Sequence, residues 1–417
     1  MHVIRIDLWI NCLFFICKKC ECYTIRIQNR TKLLTLEQNC VYISTTNQKQ
    51  NKVLANRTKK GSADMYLLVI NPGGTSTKVA VYEDKKEVLK KNITHTGEDL
   101  KQFPHVFDEY EYRKNMIVDV LKEEGFSLDQ FDCVVGRGGL MKAIPGGTYR
   151  VNDRMVEDLK NAINGEHASN LGAVIARNIG DEIGVPSFVV DPVSVDEMIP
   201  EARITGISDL EKFSWFHALN HKAVSRKVAE DMGGKYEDFN FIVAHLGSGI
   251  SIVAHEKGKM IDGSGGRTDG PFSPERSGGL LAYQLIELCY SGKYTREQMV
   301  RKVSAEGGMY DYLGTKDARE VEERAANGDE KAKLILDAFI YQVAKEIALY
   351  GASLKGKVDR VIFTGGIAYS EKIVHDVYEK VAYLAPKAVV PGEMEMEALA
   401  LGALRVLSGE EEAKEYL

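Results

Sequence analysis

The chain is poor in the residues that make flexible linkers. Ten prolines are scattered through 417 residues and no serine-rich run divides it. Any boundary between domains is therefore a crossover between packed elements, not a tether. There is no excess of positive charge either. Lys and Arg total 54 against 60 Asp and Glu, a net charge of −6, which gives no polycationic surface for nucleic acid. A long apolar run is missing: Ile10 to Cys17 is too short to span a bilayer, so no membrane partner is expected. Asp7 and the lack of a small-residue cleavage site argue against a secretory signal. Cysteine is scarce where it would matter. Five of the seven (Cys12, Cys17, Cys20, Cys22, Cys40) precede residue 65, and Cys17, Cys20 and Cys22 lack the second CxxC or histidine pair of a four-ligand metal site. Cys133 and Cys289 sit in apolar runs, read as buried free thiols. That usage fits a reducing, cytoplasmic setting.

Residues 1–64 carry Asn, Gln, Thr and Lys runs and no clear period. They are expected to lie outside the fold, either disordered or as translated upstream sequence, since Lys60-Gly61 is compatible with a purine-rich ribosome-binding run ahead of Met65. From Met65 onward the α/β pattern is continuous, and the length allows two or three domains.

What is present is a duplicated strand–turn–strand unit. In the first copy Leu67 to Ile70 and Val79 to Val81 are buried-strand runs. Between them lie Asn71, Pro72, Gly73, Gly74, Thr75, Ser76, Thr77 and Lys78, a glycine-rich turn whose N–H and hydroxyl groups suit phosphate oxygens. The second copy, Phe241 to Asp262, superposes on it: Asn71 on His245, Gly73 on Gly247, Thr77 on Ser251, and the charged turn Glu83-Asp84-Lys85 on Glu256-Lys257-Gly258 with small shifts. Its turn includes Gly247, Ser248 and Gly249. A third strand ends in Gly365-Gly366 ahead of a helix. Repetition on this scale predicts two similar domains, with phosphate-cradling turns facing one another at the carboxyl ends of strands.

Paired turns of this kind resemble the acetate and sugar kinase, Hsc70 and actin superfamily. VINPGGTSTK, VGRGGL, FHALNH, HLGSGIS, DGPFSPERSGG and PGEMEMEALALGA together resemble the acetokinase family, in its butyrate kinase branch, from about Met65 to the C-terminus. The turn Pro-Gly-Gly-Thr-Ser-Thr and the Pro-Glu-Arg-Ser-Gly-Gly motif differ from the acetate kinase type and favour that branch. The resemblance implies two actin-like (RNase H-like) domains with a nucleotide cleft between them: residues 65–193, joined again by the C-terminal helix 397–417, and residues 194–396. It implies reversible transfer of phosphoryl from ATP to butyrate or a similar short-chain carboxylate, with ATP/ADP and Mg²⁺ as cofactors and a homo-oligomer as the assembled form. Acetate or propionate kinase is the alternative, and a non-kinase ATPase of the same superfamily a more distant one.

Phosphoryl transfer needs positioning and charge neutralisation, and an ionised carboxylate acceptor needs no general base. Arg137, in a glycine-rich turn after a strand, is placed by the resemblance at the substrate. Arg276, in a turn opening a helix, is placed at the transition state, where a planar guanidinium suits phosphoryl oxygens. The resemblance makes His217 a donor to the phosphoryl group and leaves His221, one helical turn on, structural. Asp191 ends a strand, where it either serves magnesium and the nucleophile or forms an Asp-Pro turn. Asn71 and one of Glu395 and Glu397 are candidate magnesium-site residues.

Overall fold

The computed structural model describes residues 64–265 and 269–417, and before them only the backbone of three short strands, β1 (Val3–Ile4), β2 (Cys12–Cys17) and β3 (Cys22–Ile27). These three pair antiparallel in sequence order within a unit spanning Met1–Asp64. The other expectations for residues 1–64, the cysteine ligands included, lie outside the described residues.

Met65–Leu417 is the second unit, and it contains two sheets. The first uses β4 (Tyr66–Pro72), β5 (Ser76–Glu83), β6 (Lys86–Thr94), β7 (Cys133–Gly136), β8 (Thr148–Arg150) and β9 (Ser187–Val190), in the order β6-β5-β4-β7-β9-β8. The second uses β10 (Asn240–Leu246), β11 (Ile250–Glu256), β12 (Lys259–Ser264), β13 (Arg360–Gly365) and β14 (Lys387–Pro391), in the order β12-β11-β10-β13-β14. Each is an antiparallel three-strand meander continued by two parallel strands. The first sheet adds β8 as an antiparallel edge.

The duplication extends to irregularities that hydrophobic patterning would not produce. The register slips between Val81 and Tyr82 on β5, and between Ala254 and His255 on β11. Their partners, Leu68 and Leu67 on β4, and Ile242 and Phe241 on β10, are the positions that superpose. The charged turns place Asp84 at φ 49° and Lys257 at φ 48°, in the left-handed region that non-glycine residues seldom occupy. Ahead of each first parallel strand an aspartate accepts the opening N–H of the meander: Asp132 from Tyr66 at 2.8 Å and Asp359 from Asn240 at 2.7 Å. One expected match needs correction. Asn71 pairs with Lys78, whereas His245 pairs with Ser251. The first turn is one residue longer, so Lys78, not Thr77, occupies the place of Ser251.

The alternating faces of these strands form the cores. Leu68, Ile70, Val79, Val81 and Val134 pack on the helices Tyr110–Glu123 and Asn170–Ile183 through Ile117, Leu121, Leu171 and Ile175. The opposite face, with Leu67, Val69 and Val135, meets Met396, Leu399, Ala400 and Ala403 of the last helix, Glu395–Leu407. In the second sheet Ile242, Ala244, Ile252 and Phe363 pack on the 24-residue helix Glu330–Ser353 through Leu336, Phe339, Val343 and Ile347.

Two details depart from the sequence expectation. The last helix starts at Glu395, not Glu397. Cys133 is buried as expected, but Cys289 is exposed. Its helix, Ala282–Tyr290, has no buried residue and presents Tyr283, Ile286 and Tyr290 to solvent. An apolar run there signals an exposed apolar surface, not a core.

The helix Asn170–Ile183 approaches β7 backbone to backbone. A Cβ on Gly136 would stand 2.1 Å from the Gly172 carbonyl oxygen, and one on Gly172 would stand 2.3 Å from that of Arg137. This contact sets where the Arg137 turn leaves the sheet. We expect Gly172→Ala to destabilise the protein by about 1–3 kcal/mol, as overpacking does, and to impair whatever Arg137 binds. Urea denaturation with a ligand titration measures both, and an unchanged midpoint would refute the close-approach account.

Candidate active site

The carboxyl ends of β4, β7, β10 and β13 carry the glycine-rich turns, and the expected site residues gather there. Asn71, at the end of β4, is buried and donates from Nδ2 to Glu395 Oε2 at 2.8 Å. Arg137, just after β7, places Nη1 2.7 Å from Glu395 Oε1 and 3.3 Å from Asn71 Oδ1. One carboxylate therefore ties together the first turn, the arginine turn and the start of the last helix. Of the two acidic candidates it is Glu395 that meets Asn71. Glu397 is exposed, and it borders a second pocket with Tyr82, Glu87 and Lys85.

The first turn is closed by Gly73 N–H donating to the Ser76 carbonyl at 2.7 Å. Gly74, Thr75 and Lys78 are exposed. Beneath it lies a residue that sequence reasoning missed. Arg113 is almost fully buried, and its guanidinium donates to the carbonyls of Gly73 at 2.9 Å and Gly74 at 3.1 Å and to Thr77 Oγ1 at 3.1 Å. Glu109 neutralises it at 2.7 Å. With these carbonyls tied inward, the turn keeps its N–H groups other than that of Gly73 for an anion. A signal existed: Arg113, Ile117 and Leu121 share one buried helical face, and an arginine on an apolar stripe with Glu one turn earlier marks a buried ion pair.

In the second turn Gly247 N–H donates to the Gly249 carbonyl at 3.1 Å. Ser273 Oγ donates to the Ser248 carbonyl at 2.6 Å and accepts from Arg276 N–H at 3.1 Å. Arg276 lies against this turn, its Nη1 2.8 Å from where a Cβ on Gly249 would stand. Among the described residues its guanidinium has no carboxylate partner. The third turn, Gly365-Gly366, is pinned by paired backbone hydrogen bonds between Gly365 and Gly392 at 3.0 and 2.9 Å. Gly365 has φ 87°, and a Cβ there would meet the Leu246 carbonyl oxygen at 2.4 Å.

His217 immediately precedes the helix Ala218–Asp231 and stacks on His245 of β10, centroids 4.0 Å apart and planes 15° apart. His217 Nδ1 contacts Ser251 Oγ at 2.8 Å. His245 Nδ1 accepts from Asn220 Nδ2 at 2.9 Å. His221 is fully buried on Ser251 and His255, consistent with a structural part. The stacked pair lines a pocket with Arg137, Glu395, Val193, Phe216 and Leu219.

Asp191 borders the same pocket, but its carboxylate is committed. Oδ2 lies 2.8 Å from Arg226 Nη1, and Oδ1 accepts from Gly147 N–H at 2.7 Å. Burial pushes this carboxyl up, but Arg226 and Lys222 outweigh it and hold it below the usual range. Its backbone is left-handed, with φ 37°. The arrangement suits an anchor for the turn at Pro192 better than a magnesium ligand.

For a divalent cation the hard oxygen donors near the turns are Glu395 and the Asn71 amide. No group of three or more His, Cys, Asp or Glu converges among the described residues. Two protein oxygens, with phosphate and water supplying the rest, is the usual way magnesium is held. Here those oxygens are taken by Arg137 and by the Asn71 amide N–H, so magnesium carried in on a nucleotide would have to displace Arg137 from Glu395.

Residues 210–392 match the model of the acetokinase family. Solved structures extend the likeness across the main unit. Porphyromonas gingivalis acetate kinase aligns with TM-score 0.68 and 19% identity over 82% of this chain and all of that one. A propionate kinase from Francisella tularensis gives 0.65 and 22% over 81% of this chain and 98% of that one. Entamoeba histolytica acetate kinase gives 0.68 and 16% over 82% and 100%. At these identities the likeness defines the fold: the mixed α/β, two-sheet, actin-like architecture. No helix among the described residues is long and apolar enough to cross a membrane.

The buried imidazoles make a pH prediction. Burial foremost, then Arg113 and Arg137 respectively, lowers His95 and His245 from 6.5 to about 4. Burial also holds His217, His221 and His255 well below 6.5. The unfolded chain protonates each of them near its ordinary value of about 6.5, while the folded protein keeps them neutral. Below that value the unfolded state binds more protons, so stability falls as pH drops from about 6.5 towards about 4, by up to about 1.4 kcal/mol per pH unit per histidine. Urea midpoints between about pH 7 and pH 5 should decline steeply. A flat profile would mean that the imidazoles titrate freely.

Proposed function

We propose that the protein transfers the γ-phosphoryl group of ATP directly to the carboxylate of butyrate or a similar short-chain fatty acid. A carboxylate oxygen forms the new bond to phosphorus, the bond to the ADP oxygen breaks, and no proton moves. The reaction is reversible and gives an acyl phosphate. The observation that carries this reading is the placement of Arg137 and the stacked His217 and His245 around one pocket whose other wall is apolar, with Arg276 against the second turn.

Arg137 receives the substrate carboxylate, and Val193, Phe216 and Leu219 receive its alkyl chain. Arg276, which lacks an ion-pair partner among the described residues, lies along the second glycine-rich turn and is assigned to the oxygens of the phosphoryl group in flight. His217 and His245 add neutral donors. Gly73, Gly74, Thr75, Ser76 and Lys78 hold phosphate from one side, and Gly247, Ser248 and Gly249 from the other; Gly365 and Gly366 border the nucleoside. Magnesium, when bound with the nucleotide, neutralises its phosphates, and Glu395 with Asn71 would hold it. Asp191 supports the site through Arg226.

An ionised carboxylate acceptor needs no base. Asp191 is held by Arg226 and Gly147, and Glu395 by Arg137 and Asn71; Glu393, 3.8 Å from His245 Nε2, is the acidic side chain left beside the histidine pair among the described residues. The names of the similar structures keep acetate or propionate as the alternative acceptor. Residues 65–193 with 397–417, and residues 194–396, are proposed as two bodies that close on the nucleotide in a cytoplasmic homo-oligomer.

Acyl-hydroxamate formation from ATP and a series of acids from acetate to valerate tests the reading. Butyrate should give the highest kcat/KM. A maximum at acetate or propionate would move the assignment to that kinase, and ATP hydrolysis without any acyl product would overturn it. Arg276→Ala should lower kcat by about 100- to 1,000-fold, as loss of a transition-state donor does, with little change in ATP affinity. Arg137→Ala should chiefly raise the KM for the acid, and lysine at either position should restore only part of the activity because it lacks the planar fork. A folded Arg276→Ala enzyme near the wild-type rate would remove that residue from the transition state.

A further inference from the structure

The imidazole of His217 is the end of a longer chain of contacts that the reaction as proposed does not use. Tyr236 is 3% exposed, and its hydroxyl lies 2.5 Å from His255 Nδ1. His255 Nε2 lies 3.3 Å from His221 Nδ1. His221 Nε2 lies 2.7 Å from Ser251 Oγ, which lies 2.8 Å from His217 Nδ1. Tyr236, His255, His221 and Ser251 are all buried, while His217 is half-buried at the pocket.

The direction of this chain follows from its far end. Among the described residues the Tyr236 hydroxyl has no hydrogen-bond partner except His255 Nδ1. A buried O–H left without an acceptor is costly, so Tyr236 donates and His255 Nδ1 accepts. A neutral imidazole carries one proton, so His255 Nε2–H donates to His221 Nδ1. By the same rule His221 Nε2–H donates to Ser251 Oγ. The serine hydroxyl then has its single proton left for His217 Nδ1. Ser225, the other hydroxyl near His255, spends its own proton on the His221 carbonyl at 2.8 Å. The reverse orientation would leave the Tyr236 proton without an acceptor. Neutrality of the rings is consistent with their burial.

We infer that Tyr236, His255, His221 and Ser251 form a one-way hydrogen-bond chain that holds His217 as its Nε2–H tautomer, so that the ring edge facing the pocket is always a donor. Ser251 and Tyr236 are thereby positioning residues for His217, Ser251 by direct contact and Tyr236 along one face of the second sheet from outside the pocket. The tautomer of an imidazole is set by the bond its other nitrogen makes. His245 is fixed in the same sense by a separate route: its Nδ1 accepts from Asn220, which also donates to Thr364 Oγ1 at 3.1 Å and accepts from Met394 N–H at 3.0 Å. The stacked pair therefore carries two Nε2–H donors, that of His245 lying 3.8 Å from Glu393 Oε1.

The test is nitrogen-15 NMR of histidine-labelled protein, with His217→Asn to assign its resonances. Wild-type His217 should carry its proton on Nε2. Ser251→Ala and Tyr236→Phe should each admit the Nδ1–H form, and Ser251→Thr, which keeps a hydroxyl, should restore Nε2–H. The kinetic arm rests on the phosphoryl-transfer reading: kcat for acyl phosphate formation should fall by about 10- to 100-fold in Ser251→Ala, at the lower end of what a lost donor costs, with the KM for ATP unchanged. Wild-type His217 protonated on Nδ1 would overturn the inference. So would an unchanged Nε2–H tautomer in both folded variants. The NMR measurement needs no turnover, so failure of the carboxylate assay would sink the proposed reaction and leave the tautomer question separately answered.

Discussion

One carboxylate, that of Glu395, holds the candidate site in register. The chain leaves the second sheet at Pro391, and Gly392 is bonded back to Gly365. Three residues on, Glu395 opens the helix that covers the first sheet. Its two oxygens take Asn71 and Arg137, which belong to the turns after β4 and β7. A residue from the junction between the sheets thus fixes two turns of the first one. The helix contributes twice: its N-terminus favours an acidic residue in the first turn, and its buried Met396, Leu399, Ala400 and Ala403 keep that terminus from moving. Removing either partner of such a half-buried pair leaves a charge without compensation, which costs more than the pair itself contributes.

The two glycine-rich turns meet the same requirement with different side chains. A turn that presents N–H groups to an anion must dispose of its carbonyls. In the first, the buried Arg113 draws in the carbonyls of Gly73 and Gly74, with Glu109 balancing its charge. In the second, the Ser273 hydroxyl takes the Ser248 carbonyl and also receives the Arg276 N–H. The serine solution leaves beside the turn an arginine with no carboxylate partner among the described residues, whereas the arginine solution buries one beneath it. The repeat is therefore symmetric in its backbone, down to paired register slips and paired left-handed residues, and asymmetric in charge. The reaction proposed above would use that asymmetry, with the acid on one side and the phosphoryl group on the other.

The strands, their turns and their duplication were legible in the sequence because they depend on local period and on glycine. Arg137, His217 and Arg276 were singled out by motif context, and the structure brings them to the glycine-rich turns; their roles belong to the proposal. What was not legible depends on contacts between distant segments. Asn71 and Glu395 are 324 positions apart, and nothing local separates Glu395 from Glu397 until the helix is seen to start at the former. The one-residue difference between the turns is invisible without the pairing of Lys78 and Ser251. Asp191 looked available because its partner, Arg226, lies about two turns down a helix that packs beside it only in the folded chain. Cys289 misled for a physical reason: the apolar helix around it is exposed, and hydropathy does not distinguish a core from an uncovered surface.

The histidines complete the electrostatic logic. In the proposed reaction, two guanidinium groups near one pocket supply the positive charge for an incoming carboxylate and phosphate. A third cation would gain little and would repel Arg137 and Arg276, whose charges are among the influences that keep His217 neutral. Burial, the first of those influences, turns imidazole into a donor without charge. Such a donor strengthens as negative charge develops on the oxygen it faces, with no proton to lose and no counterion to displace. Keeping His217 and His245 neutral therefore leaves the positive charge at this pocket to its arginines, with Lys78 of the first turn outside it.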